Sequence, residues 1–367
     1  MHRLTSRTIL GTLAAVVAAA MLTAGCGEVP PPAAPPETPK AAGAKIVGMI
    51  ELPEKYNTPD GMVLDAKTGD IILSCPNFNN HDHPAKMLRI DADDKITEIT
   101  DLPPHPETKL VGPLGVDVGP DGNLYIADNQ TFFDRTDHQS RLLRVVMKDG
   151  KAQGCEVLVT GFIMSNAVAC HGDSVYVTES KLDVKAAPMP SGVYRFTFAE
   201  LDPAKPIQLE PGGTDPHLVL KLETQNPDWV GANGMGFDAQ GNMFVCNFGD
   251  AQLIKVTFDA QGKVASQEVF AEGQGMKSAD GLKVHPKTGD IYIADFLGNA
   301  VHKVDAKTGK VTTLAQNGLT DGAGGALDRC SEVCLRGNKV YAANIDLPLA
   351  DNEFDSPHSI SIIELAE

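Results

Sequence analysis

The chain has 367 residues, 31 basic and 48 acidic, for a formal charge of −17. That acid excess excludes the basic footprint that nucleic-acid phosphates require, so no nucleic-acid partner is expected. Hydrophobic residues at 42% and charged residues at 22% exclude a disordered chain, and 35 glycines with 25 prolines favour many short strands over long helices.

The N-terminus reads as a leader. Arg3 and Arg7 precede an apolar run from Ile9 to Met21, which is shorter than the roughly 20 apolar residues of a membrane span. Leu22-Thr23-Ala24-Gly25-Cys26 resembles a bacterial lipobox, giving a signal peptide over residues 1–25 and lipidation at Cys26. Thr23 stands where a Leu is usual, and the plainer reading is secretion with small residues at the cleavage site. Lipidation would leave an exported protein held on a bacterial membrane by its acyl chains alone, facing the periplasm or cell exterior. Residues 26–43 then form a Pro/Ala-rich tether, extended and semi-rigid. Six further cysteines, at 75, 155, 170, 246, 330 and 334, lack CxxC spacing and read as buried thiols or disulfides.

From residue 44 onward one unit repeats six times. A polar residue and a small one lead into an apolar strand, a turn containing Gly, and a second apolar strand. Asp60-Gly61-Met62 leads to IILSC, Leu114-Gly115-Val116 to LYIAD, and Asn166-Ala167-Val168 to SVYVTE. Asn233-Gly234-Met235 leads to MFVCN, Asp280-Gly281-Leu282 to IYIAD, and Glu332-Val333-Cys334 to KVYAAN. The spacings are 54, 52, 67, 47 and 52 residues, room for four strands each. Six such hairpin-based units predict an all-β, six-bladed β-propeller over residues 44–367. The sixth unit has a third strand at 359–365 and none after it, so Lys45 to Glu51 is expected to supply its outer strand and close the ring.

In such a ring the first strand of each blade lines a central channel, so the six leading residues form a circle: Asp60, Leu114, Asn166, Asn233, Asp280 and Glu332. Five of the six carry side-chain oxygens and none is basic. A residue of this type before one strand is ordinary turn chemistry. Five in register predict a cation site, because adjacent carboxylates repel unless neutralised. Oxygen ligands point to Ca2+, with Mg2+, Mn2+ or Zn2+ as other divalent candidates.

This order of residues resembles the SMP-30/gluconolactonase family, including luciferin-regenerating-enzyme-like members, and the related calcium-dependent hydrolases paraoxonase and diisopropylfluorophosphatase. The resemblance implies metal ligation by Asp60, Asn166, Asn233 and Asp280. It also implies hydrolysis of a small-molecule lactone or ester, with Asp280 as general base or as nucleophile. Asp60 departs from the Glu usual in the first blade, and Glu332 is an additional carboxylate, either a ligand or an acid/base group. The repeats are also similar to the looser NHL type, which leaves a binding propeller with a structural ion as the alternative. No GxSxG elbow supports a serine hydrolase. No oligomer is predicted.

The loops after the second strands open beside the circle. Those at 76–85, 129–140, 180–191 and 345–358 are long, and those at 247–251 and 296–299 are short, which predicts a mouth open near blades four and five. His83 and His138 on the long loops are candidate proton donors at the mouth or solvated surface residues. Trp229, four residues before Asn233, is either a substrate platform or blade packing.

Overall fold

The computed structural model describes residues 44–366. The expected signal peptide, Cys26 and the whole of the expected tether lie outside the described residues. Among those described, the structure is strand throughout, apart from two single-turn 3-10 segments at Thr131–Phe133 and Ala323–Gly325.

The strands fall into six antiparallel sheets, the blades of a propeller. Blade one holds Met62–Leu64, Ile71–Cys75, Lys86–Ile90 and Ile96–Asp101. Blade four holds Ala232–Phe237, Met243–Asn247, Gln252–Phe258 and Val264–Glu272, and blade five runs from Leu282–Val284 to Val311–Gln316. Blade six is built from Cys330–Arg336, Lys339–Asn344, Ser359–Glu364 and, as its outer strand, Lys45–Glu51. The register Ile46↔Ile363 and Ile50↔Ile360 places the closing strand as the sequence predicts.

The wide spacing between repeats three and four has a local cause. Between Met189–Thr197 and Leu218–Thr224 the chain makes an excursion, and its short strand Ile207–Gln208 pairs in parallel with Val159 and Thr160 of blade two.

The second strand of each blade is apolar without alternation because both of its faces are buried. Ile71 and Leu73 pack with Tyr341 and Ile360 of blade six, while Ile72 between them packs with Leu124 and Ile126 of blade two. The same alternation recurs around the ring, so the core is a series of layers between neighbouring blades. Cys75, Cys246, Cys330 and Cys334 are fully buried in these layers, and all six described cysteines carry free thiols.

Glycines let the inner strands crowd together. A Cβ on Gly234 would lie 2.3 Å from the Asp280 carbonyl oxygen, and one on Gly61 would lie 2.3 Å from that of Leu114. The glycine after the leading residue is therefore a packing requirement of the channel wall at Gly61, Gly115, Gly234 and Gly281.

Candidate functional site

In blades two, three, five and six the segment entering the inner strand is held in place by the hairpin that follows it. The polar residue ending the second strand turns back and accepts backbone N–H groups from that segment. Asp128 Oδ1 accepts Gly112 N at 2.8 Å, and Glu179 Oε2 accepts Ile163 N at 2.9 Å. Asp295 accepts both Lys277 N and Ser278 N, at 2.7 and 2.8 Å. Asn344 Oδ1 accepts Asp328 N at 3.0 Å. These residues sit where only an apolar strand was expected to end. Their recurrence as D, E or N at the close of LYIAD, SVYVTE, IYIAD and KVYAAN was the available signal.

Held in this way, one residue per blade lines a cavity of about 220 Å³ at one end of the channel: Asp60, Leu114, Asn166, Asn233, Asp280 and Ser331. Five of these are the expected ones. In the sixth blade the expected Glu332 is replaced by Ser331. Val333 pairs with Ala342 as Leu282 pairs with Ile293 and Met235 with Val245. Two residues before these positions stand Ser331, Asp280 and Asn233. Glu332 therefore occupies the place of Gly281 and Gly234, beneath the ring. A Cβ on Gly281 would lie 2.5 Å from Glu332 Oε1. Its other carboxylate oxygen pairs with Lys283 Nζ at 2.7 Å.

The ring is buried and acidic. Asp60, Asn233 and Asp280 are all under a tenth exposed. Burial pushes the Asp60 carboxyl up to about 7, reinforced by the Glu332 charge and opposed by the nearby Ser331 hydroxyl. Asp280 is pushed well above the ordinary carboxylate range, first by burial and then by the charges of Asp60 and Glu332; a hydrogen bond from Asn233 opposes this. Burial is the largest influence on Lys283 and would lower it, but the Glu332 charge and hydrogen bond, with smaller contributions from Cys334 and Asp117, together hold it above its ordinary value. Among the described residues neither Asp60 nor Asp280 has a basic partner within ion-pair distance. An arrangement of two uncompensated carboxylates and two amides favours a hard cation or a shared proton.

Above the ring the cavity turns apolar. Phe132, Trp229, Phe248, Phe296, Ile345 and Leu347 line it. The short loops of blades four and five do not leave their side bare, since each begins with an aromatic residue, Phe248 and Phe296, 6.2 Å apart between ring centres. Trp229 lines the cavity and also packs on Phe248 at 5.7 Å. Lys181 and Asp228 are the charged residues of the rim, and burial lowers the Lys181 ammonium.

The two histidines expected at the mouth lie elsewhere. His83 lines a separate surface cleft between blades one and two with His81 and Phe133. His138 turns its Nδ1 to the Gly161 carbonyl, 3.0 Å away. Both sit on long loops, whose direction sequence periodicity does not set.

No protein-family model and no curated protein matches the chain. Solved structures do match. The PQQ-bound aldose sugar dehydrogenase of Streptomyces coelicolor superposes with a TM-score of 0.56 at 16% identity, over 89% of this chain and 99% of that one. A luciferin-regenerating enzyme gives 0.56 at 13% identity, over 87% of this chain and 95% of that one. A gluconolactonase of Xanthomonas campestris gives 0.53 at 13% identity, over 92% of this chain and 99% of that one. The fold is shared across nearly the whole length of each. At such identities the likeness is one of architecture, and chemistry must be argued from the ring.

Proposed function

We propose that the protein is an exported hydrolase of lactones or related esters, working with a divalent cation, calcium foremost, at the channel ring. The observation that carries this reading is the pair of buried carboxylates, Asp60 and Asp280, facing one cavity with two amides and no basic partner among the described residues. That donor set fits a hard cation. A calcium ion held by Asp60, Asn166, Asn233 and Asp280 would polarise the substrate carbonyl and keep the two carboxyls ionised.

Asp280 then accepts the proton of the attacking water at its carboxylate oxygen. Asn233 beside Asp280 and Ser331 beside Asp60 complete the polar floor of the cavity. Phe132, Trp229, Phe248 and Phe296 seat the hydrocarbon part of the substrate and exclude bulk water. That apolar rim favours acyl lactones or aryl esters over polyhydroxylated sugar lactones. Glu332, paired with Lys283 beneath the ring, supports the site from below.

The test is turnover of a lactone and aryl-ester panel in calcium and in chelator. Hydrolysis in calcium, lost on chelation and in Asp280→Asn, is the expected result. Absence of turnover by the wild type, with a ligand still bound at the mouth, would replace this reading with that of a binding propeller. The anchor is tested separately: Cys26→Ser should release the protein from the membrane fraction.

A further inference from the structure

A second group of acids lies outside the channel ring, in the loops of blade six. Asp328 precedes the first strand of that blade, and Asp346 and Asp355 belong to the long loop between its second and third strands. One carboxylate oxygen from each lies within 4.8 Å of the other two. Asp328 and Asp346 are each only 2% exposed. Asp346 is held from two sides: Oδ1 accepts Asn352 Nδ2 at 2.9 Å, and Oδ2 accepts Asp355 N at 3.0 Å.

A separate observation shows that this cluster is chemically incomplete. Asp328 turns its carboxylate into the group, yet its Oδ1 is buried with no hydrogen-bond partner, and Asp355 Oδ1 is in the same condition. A buried, unpartnered carboxylate oxygen is costly. No Lys, Arg or His among the described residues forms an ion pair with any of the three. The neighbouring bases are engaged elsewhere: Arg329 donates to the carbonyls of Phe296 and Leu297, and His358 faces Glu54 at 2.9 Å. Burial and mutual repulsion hold Asp328 up to about 8 and Asp346 up to about 7, the direction expected of acids that lack a counter-charge.

We propose that Asp328, Asp346 and Asp355 form a calcium site that pins the long blade-six loop against the entry to the first strand of that blade. Three carboxylates supply only hard oxygen donors, and their combined charge is the kind that calcium sites neutralise. The loop so fixed carries Ile345, Leu347 and Leu349 on the wall of the channel mouth, and Ser331 of the ring lies three residues beyond Asp328. The inference is independent of the activity proposed for the channel, because its ligands belong to different segments.

The experiment counts calcium bound to the purified full chain by equilibrium dialysis and calorimetry, with melting temperatures recorded in calcium and in chelator. The double variant Asp60→Asn/Asp280→Asn, which removes both ring carboxylates, should keep one calcium ion. Adding Asp346→Asn or Asp355→Asn should weaken that remaining ion by more than the roughly 10–100-fold that loss of a merely supporting group costs. In chelator, Asp346→Asn should melt no lower than the wild type, since it relieves repulsion; in calcium it should lose most of the wild-type gain. Asp355→Asn, at the less buried corner, gives the same reading if Asp346→Asn misfolds. The proposal is overturned if the double variant binds no calcium, or if neither further substitution changes its affinity. It is equally overturned if the chelated protein stabilises on acidification while calcium shifts nothing, for then the acids share a proton. Retention of this ion in a protein without hydrolytic activity would overturn the channel reading alone.

Discussion

The molecule carries two groups of buried acids, and they are assembled in opposite ways. The channel ring draws one residue from each blade, always from the same place in the repeat, so six copies of one local geometry aim at one cavity. The blade-six cluster draws three residues from the loops of a single blade, with no counterpart in the other five. Repetition steadies the first group: in four blades the segment leading to the ring residue is held by the acid or amide that closes the blade's second strand. The second joins the segment before the first strand of blade six to the long loop of that blade, and its carboxylates have no ion-pair partner among the described residues. The ring is therefore suited to chemistry and the cluster to fixing a wall.

The largest effect that would sharpen this contrast is kinetic. Asp280→Asn keeps the volume and one ligand oxygen but cannot take a proton, so kcat on the best lactone or ester should fall about 10²–10⁴-fold. Asp346→Asn should act mainly on KM, through the apolar wall, with a much smaller change in kcat. Equal losses of kcat from both would break the division of labour drawn here.

Glu332→Gln comes next. It removes the counter-charge of Lys283 within the channel, and breaking such a pair costs about 3–5 kcal/mol when both partners are dry. The Lys283 side chain is 26% exposed, so a loss near the lower end, about 3 kcal/mol, is expected in denaturant unfolding. Its effect on turnover should fall well below that of Asp280→Asn. A loss as large would return Glu332 to the catalytic group.

Gly281→Ala tests the crowding that aligns the ring. Its Cβ would lie 2.5 Å from the Ser331 carbonyl oxygen, which is backbone and cannot swing away, so about 1–3 kcal/mol of stability should be lost. The same change at Gly48, where a Cβ meets nothing within 4 Å, is the control and should be near neutral.

The smallest effect concerns pH, at a turn far from both acid groups. His105 Nδ1 accepts the Glu107 N–H at 3.1 Å, so the ring must be neutral at that nitrogen. Burial, reinforced by the Arg141 charge, holds the His105 pKa below its ordinary value. A depressed histidine stabilises the fold above its unfolded pKa of about 6.5, and that contribution is lost as pH falls through the lower folded value. His105 should therefore contribute a drop in melting temperature on acidification from neutral pH, opposite in sign to the gain from the buried carboxyls held above their ordinary range. His105→Asn, whose amide oxygen can accept the same N–H without titrating, should flatten part of that drop. An identical pH profile for variant and wild type would exclude His105 as a source.

Sequence alone determined the propeller, its six blades and the strand that closes it, because these follow from the period of apolar residues and the turns between them, which are local properties. It also placed Asp60, Asn166, Asn233 and Asp280 at the same point of the repeat. It missed Ser331 because the frame slipped by one residue in the sixth repeat, where Glu332 was aligned with the leading residues of the other blades. In a strand a one-residue slip reverses the side a residue faces, and only the pairing of Val333 with Ala342 decides it. Tertiary structure alone placed His83 and His138 away from the mouth, brought Phe248 and Phe296 onto it, and gathered Asp328, Asp346 and Asp355 from positions up to 27 residues apart. Those side chains sit on irregular loops, where direction is set by what each loop packs against and no period in the sequence carries it.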